Sequence, residues 1–313
     1  MSYLSKIKKG AVDLPPRVVL SGPEGIGKST FGANAPDPLF IAAEDGLTGL
    51  EHINRFTPTD YKELLGFLDD MEADANVPFK TLVLDTVDWL ERLIQGHCCK
   101  RDKKANIEAY GYGKGYKIVE PELVALLAQL DRIRHKHKVA IIILSHVHIK
   151  NHTPPGGEPF DRYEMKGHKG FTGILREWPD ACLFAVYETF KTEDDDGHKK
   201  VIGGDRIMHT SWAPGWDAKN RYNLPEILPL DKDRGFFAFL EAVDEHRNQP
   251  VVKPTKEELC DQIKNLLPLA TFASEEDKAK AIAWAETLDS QPVEKLESGL
   301  KWLQAQVDKE EES

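Results

Sequence analysis

One stretch restricts the fold of this chain more than any other. Val18-Val19-Leu20-Ser21-Gly22-Pro23-Glu24-Gly25-Ile26-Gly27-Lys28-Ser29-Thr30 reads as a short apolar strand, a glycine-rich turn and the first turn of a helix. From Gly22 to Ser29 it satisfies G-x-x-x-x-G-K-S, the pattern of a phosphate-cradling loop. Gly22, Gly25 and Gly27 let the backbone take conformations that a side chain forbids, so loop N–H groups turn inward toward phosphate oxygens. The start of the following helix adds free N–H groups and the positive end of its dipole. Lys28 would then reach the β- and γ-phosphates of ATP, and Ser29 would offer its hydroxyl to Mg²⁺. The context separates this from an ordinary glycine turn: residues 17–20 read as a strand, and no proline follows until Pro36.

The whole chain sets looser bounds. Its 313 residues have room for one large domain and a small one. No apolar run approaches the length of a membrane span, and residues 1–10 carry lysines without the apolar core of a secretory signal. Cys98, Cys99, Cys182 and Cys260 make no disulfide framework and fit a reducing cytoplasm. The net charge of −11 is uneven: residues 255–313 hold 14 acidic and 7 basic side chains, which leaves only −4 on the rest. Residues 100–117 hold six basic groups against Asp102 and Glu108. Local patches rather than totals decide contact with phosphates.

In chain order, Pro36-Asp37-Pro38 stops the first helix early, and Leu39-Phe40-Ile41-Ala42 reads as a buried strand running into Ala43-Glu44-Asp45-Gly46. A helix with Tyr61, Leu64, Leu65 and Leu68 on one face follows over 60–75. Thr81-Leu82-Val83-Leu84-Asp85 is an apolar strand ending in a carboxylate placed to hold the Mg²⁺ shell through water. Residues 89–99 continue as helix, 100–117 as a basic, glycine-rich and aromatic loop, and 122–138 as a long helix. Residues 139–144 form a third apolar strand ending at Ser145-His146. Three such strands between helices predict a parallel, doubly wound α/β sheet. Residues 150–173 lack periodicity and read as a long functional loop. A strand over 181–190, a hairpin over 199–209 and a closing helix over 236–245 complete a core spanning 1–248. A linker at 249–254 leads to an acidic helical domain at 255–313, with helices near 256–267, 275–288 and 293–306. There Trp284, Leu288, Leu300, Trp302 and Leu303 read as a small core. His97-Cys98-Cys99 lacks a second pair at zinc-site spacing, which argues against a metal centre.

The strand-end motifs Leu39 to Leu47, Thr81 to Leu90 and Ile141 to Val147, taken with the glycine loop, resemble RecA-type ATPases. Tyr112-Gly113-Lys114-Gly115-Tyr116, Leu175-Arg176-Glu177-Trp178-Pro179-Asp180-Ala181 and Asp217-Ala218-Lys219-Asn220-Arg221-Tyr222 narrow the resemblance to phage-type RecA-core ATPases, a group that includes single-strand-annealing recombinases. The similarity covers about residues 15–235. It implies a RecA-like core with a mostly parallel central sheet, and a role for each matching position. Glu44 would be the general base that polarises the attacking water, which agrees with a carboxylate at a strand end beside the loop. His146 falls at the polar sensor, where RecA itself has glutamine. Lys219 and Arg221 match a K-x-R pair that reaches into a neighbouring subunit's nucleotide; cations at i and i+2 on an extended segment point the same way. The loop at 150–173 falls where RecA proteins contact DNA, with Lys166 and Lys169 for phosphate and Phe171 for a base, and Lys103, Lys104, Lys114 and Lys117 as a second contact. Two departures stand out: the helix after the loop is short for RecA, and the N-terminus lacks room for RecA's polymerisation arm.

The expectation is therefore an ATP- and Mg²⁺-dependent, DNA-stimulated ATPase that binds single-stranded DNA and assembles into a ring or filament. It would act in phage recombination by annealing or strand pairing, with a single-strand-binding protein as a further partner. A DnaB-like translocating motor and an ATP-gated oligomeric regulator without a DNA role are the alternatives.

Overall fold

The computed structural model describes residues 14–42, 49–50, 53–154, 156–193, 199–247, 255–270, 272, 274–293, 295–296, 298–300 and 302–303. Glu44, the linker at 249–254, the segment 1–13 and the acidic tip at 308–313 lie outside the described residues. The chain divides into two compact units, Met1–Asn248 and Gln249–Ser313.

In the first unit the strands are β1 (Arg17–Gly22), β2 (Pro38–Ala42), β3 (Asn54–Phe56), β4 (Thr81–Asp85), β5 (Ala140–His152), β6 (Phe160–Met165), β7 (Ala181–Glu193), β8 (Lys199–His209), β9 (Lys219–Asn220) and β10 (Ile227–Pro229). The helices between them are α1 (Lys28–Ala33), α2 (Tyr61–Ala73), α3 (Val87–Arg101), α4 (Lys114–His137), α5 (Lys169–Glu177) and α6 (Gly235–Arg247). The sheet order is β10-β8-β7-β1-β5-β4-β2-β3, with β6 paired to β5 and β9 to β7. Strands β3, β2, β4, β5, β1 and β7 are mutually parallel, and β8 and β10 continue the sheet antiparallel. This is the expected α/β core with a mostly parallel central sheet, in which β5 separates the loop-bearing strand β1 from β4.

The apolar strands are sandwiched. On one face Val19, Ile41, Leu82, Leu84, Ile141 and Ile143 pack with α2, α3 and α4. On the other, Val18, Leu20, Phe40, Val83, Ile142 and Leu144 pack with α1 and α6. Alternate residues thus enter two cores, which is why these strands are apolar throughout rather than at every second position. Arg17 and Asp180 tie the amino ends of β1 and β7 together at 2.8 Å, and Arg134 of α4 reaches the same carboxylate at 3.0 Å. Burial works against ionising Asp180, but the Arg17 hydrogen bonds outweigh it and hold its pKa down.

Four expectations in this unit are corrected. Residues 199–209 are not a hairpin of their own but one strand, β8, which returns antiparallel along β7. The long helix starts at Lys114 rather than 122, because Pro121 lies inside it. An interior proline costs roughly 3 kcal/mol or more; here Val119, Leu123, Leu126, Leu127 and Leu130 bury the stripe that offsets it. Residues 150–173 are not an irregular loop. Strand β5 runs on to His152 and β6 returns antiparallel from Phe160, after which α5 begins at Lys169. This ribbon pairs polar residues, Lys150 with Arg162 and Asn151 with Asp161, so it lacks an apolar period. Phe171, expected to stack on a base, is 1% exposed in the core between sheet and helices.

In the second unit, α7 (Lys256–Leu266) opens with a reciprocal capping box between Thr255 and Glu258, and α8 (Glu275–Ala285) is capped by Ser274. Leu259, Cys260, Ile263, Leu288, Leu296 and Leu303 form its core, with Trp284 and Leu300 against it. Trp302, expected inside that core, is exposed and leans on Phe272. No helix among the described residues is long and apolar enough to cross a membrane.

Candidate functional site

The glycine loop leaves the sheet where β1 ends. A Cβ at Gly22 would come within 2.7 Å of the Ala185 carbonyl on β7, so the strand leaves no space for a side chain there. Gly27, with φ 110°, turns the chain into α1 through a conformation that L side chains rarely adopt. Ile26 is buried and fastens the loop to the core, while Glu24 and Gly25 form its exposed tip; Pro23 and Thr30 flank it half-buried or nearly so. Lys28 is only 6% exposed, and its Nζ donates to the carbonyls of Gly22 at 2.9 Å and Pro23 at 2.8 Å. A buried ammonium needs such partners. Exchanging neutral carbonyls for phosphate oxygens would give it charged acceptors, which bind roughly twice as strongly.

Ser29 Oγ donates to Asp85 Oδ2 at 2.8 Å. Register explains the meeting: Leu144 of β5 lies level with Leu20 of β1 and with Asp85 of β4, and His146 is level with Gly22. Asp85 ends β4, His146 lies on β5 level with the end of β1, and Ser29 opens α1 just past the loop, so the three gather at the carboxyl edge of the parallel strands, where open α/β sheets place ligands. A hydroxyl and a carboxylate are the hard oxygen donors Mg²⁺ prefers, so these residues fit that ion. Glu44 lies two residues beyond Ala42, which is level with Asp85.

Behind this pair stands Asp88, a residue that spacing along the chain does not single out. Its Oδ1 accepts from Thr86 Oγ1 at 2.8 Å and lies 3.2 Å from His146 Nδ1. Burial alone would raise its pKa, but the hydrogen bonds from His146 and Thr86 prevail and hold it at about 2. An ionised carboxylate only accepts, so Nδ1 carries the proton that His146 points at Asp88. No local pattern marks it: the turn from β4 into α3 and the register of β5 against β4 bring it to His146.

His146 also connects outward, because its carbonyl accepts from Lys166 N at 2.8 Å. One turn along α3, Glu91 accepts from His168 N at 3.0 Å, and burial pushes its pKa up. At the loop tip the Glu24 carboxyl is held down by its own backbone hydrogen bond, with His146, Lys166 and Lys28 adding attraction.

The basic segments come together. Tyr116 stacks on His168 with ring centroids 4.2 Å apart and 7° between planes, which joins the start of α4 to the turn before α5. Lys166 and Lys169 on one side, and Lys103, Lys104 and Lys114 on the other, are exposed. Lys117 is exposed but paired with Glu120 at 2.9 Å. Tyr112, between Gly111 and Gly113, is fully exposed.

Lys219 and Arg221 lie at the other end of the strands. Cys182 and Ala181 pair with Lys219 and Asn220, and Ala181 is level with Val18 near the start of β1. Gly22 is four residues further along β1, about 13 Å at 3.3 Å per residue. Neither cation reaches the loop of its own chain. Lys219 Nζ donates to the Glu177 carbonyl at 2.7 Å; Arg221 is exposed, with Asp180 3.6 Å away. One cation that does approach the loop carries no motif in the sequence: Arg206 of β8, whose Nη1 lies 3.4 Å from the Ile26 carbonyl.

A family model described as an AAA domain (AAA_24) matches residues 14–222. No curated protein matches the chain. Matching solved structures include the crystal structure of the RadB recombinase, with 16% identity and a TM-score of 0.40 over 70% of this chain and 90% of that one, a likeness too distant to bear on function.

Proposed function

This chain belongs to the AAA-domain family matched over residues 14–222, and on that premise we propose that it hydrolyses ATP, binds single-stranded DNA and shares its nucleotide site between subunits. Its task on this reading is phage DNA recombination by annealing or strand pairing. The observation that carries the proposal is the Ser29–Asp85 pair beside the glycine loop, next in sequence to a second set of contacts in which Asp88 holds His146 and the His146 carbonyl accepts from Lys166 N, at the turn that leads into the exposed lysines.

Lys28 moves from the loop carbonyls onto the β- and γ-phosphates, while the loop backbone holds them in place. Ser29, and Asp85 through water, would hold Mg²⁺, which would supply neutralisation of the charge developing on the transferred phosphoryl group. Glu44 takes the proton from the attacking water. Asp88 fixes the ring of His146 toward the γ-phosphate side. The Lys219/Arg221 pair, remote from its own loop, serves the nucleotide of a neighbouring copy as an arginine finger would.

For DNA, exposed lysines supply phosphate contacts and Tyr112 replaces the buried Phe171 as the stacking ring. The test is binding of fluorescent oligo-dT in low salt, with and without a non-hydrolysable ATP analogue, together with particle size. Tight binding that weakens steeply with salt and a larger assembly with both ligands are expected. No binding would leave the ATP-gated regulator, and directional unwinding of duplex would favour the translocating motor.

A further inference from the structure

The geometry points to Arg206 as a nucleotide-binding residue supplied by the same chain, gripping the phosphates shared by ATP and ADP. This rests on the reading of residues 22–30 as a nucleotide site and extends it to a strand outside the usual loop.

Arg206 is placed by the sheet. It pairs with Tyr187 across β7–β8, and its carbonyl accepts from Leu230 N at 2.9 Å, so its backbone is fixed on both edges. Two residues on, Met208 is fully buried in the core that also holds α1. Side chains at i and i+2 of a strand share a face, so Arg206 projects toward α1 and the loop. The register continues the geometry: Phe184 is level with Ser21, and Tyr187 lies three residues further along β7. Arg206 therefore stands beyond the end of β1, at the height where the loop sits.

Its guanidinium rests on the loop itself. Nη1 lies 3.4 Å from the Ile26 carbonyl, and a Cβ at Gly27 would come within 3.0 Å of the same nitrogen. That single long hydrogen bond is a weak anchor. Arg17, Arg101, Arg132, Arg162 and Arg176 each reach a carboxylate, whereas no described carboxylate lies within ion-pair reach of Arg206. A half-buried guanidinium with several unused donors beside a phosphate cradle matches the fork geometry that binds phosphate oxygens in pairs.

Position also selects which part of the ligand it meets. Asp85 and His146 flank β1 from β4 and β5, whereas Arg206 comes from the opposite side, past β7. The metal and γ-phosphate chemistry belongs to the first side. Arg206 faces the remainder, the α- and β-phosphates, which persist in ADP. Its grip is the same before and after hydrolysis, so it supplies uniform binding rather than transition-state stabilisation.

The test compares the wild-type protein with Arg206→Gln and Arg206→Lys, using a fluorescent ADP analogue for affinity and phosphate release for kinetics. Loss of a charge-assisted bond predicts that Arg206→Gln weakens ADP binding about tenfold or more and raises KM for ATP by the same factor, with kcat changed less than about twofold. Arg206→Lys, which keeps the charge but not the fork, is expected to fall between. Unchanged ADP affinity in both variants overturns the inference, as does a fall in kcat with ADP affinity intact. If the Gln variant does not fold, wild-type ADP affinity in the Lys variant overturns it alone. A wild-type protein that binds neither ADP nor ATP overturns the nucleotide-site reading itself, and the inference with it.

Discussion

Ser29 Oγ and Asp85 Oδ2 are 2.8 Å apart although 56 residues separate them in sequence and β5 lies between their strands. The contact exists because β4 ends at Asp85, level with Leu144 of β5 and Leu20 of β1, and the loop after β1 carries Ser29 back to it. Asp85→Asn removes the anionic oxygen but keeps the shape. Metal-supported ATP turnover is expected to fall about 10–100-fold, the usual cost of losing a group that orients a metal's shell. The Mg²⁺ concentration for half-maximal turnover should rise, while nucleotide affinity in chelator stays near wild type. Titrating Mg²⁺ against phosphate release measures both.

Asp88 gives a pH signature. Its folded pKa of about 2 lies below the ordinary carboxylate value. Its contribution to stability is therefore fully present above about pH 4 and disappears as pH falls through about 2. Asp88→Asn is expected to lose about 1–2 kcal/mol at neutral pH, with the gap from wild type closing between about pH 4 and 2. Urea unfolding of both proteins at several pH values tests this; a gap that widens on acidification contradicts it.

Phe171 and Tyr112 make opposite predictions. Phe171→Ala empties a core position and is expected to cost about 3–5 kcal/mol. Tyr112→Ala touches nothing in the fold, so stability should change by less than about 0.5 kcal/mol. Affinity for oligo-dT should fall by about 1–3 kcal/mol, the usual worth of one stacked base. Thermal melts and fluorescence anisotropy separate the two effects.

The distance between Arg221 and its own glycine loop predicts complementation. Lys28→Ala and Arg221→Ala should each abolish turnover, the second by about a thousandfold if it acts as an arginine finger. Mixed subunits should regain activity, because some interfaces then pair an intact loop with an intact finger. Phosphate release on mixing reads this out, and no recovery would place Arg221 outside the site.

Much of the core was legible because burial on both sheet faces leaves continuous apolar runs: β1, β2, β4 and the first half of β5 stand out as strands from their residues alone. So was the glycine loop, whose spacing is local. What could not be read was tertiary. The β5–β6 ribbon mixes charged residues with Ile149, Phe160 and Tyr163 and so shows no continuous apolar run, Pro121 masks the true start of α4, and Phe171 looks like any aromatic beside lysines until its helix is packed. Asp88 and Arg206 reach the site only through strand register and a helix turn, which residue spacing along the chain does not reveal.

On the proposed reading the protein is a Mg²⁺-dependent ATPase built on Lys28, with Glu44 as its base and single-stranded DNA as its stimulant. Phosphate release from Mg-ATP, measured with and without oligo-dT for wild type, Lys28→Ala and Glu44→Gln, tests it most directly. Release should rise with oligo-dT in the wild type, nucleotide binding and turnover should both be lost in Lys28→Ala, and Glu44→Gln should keep nucleotide binding without turnover. No release from the wild type under either condition, or release from Lys28→Ala equal to wild type, would contradict it.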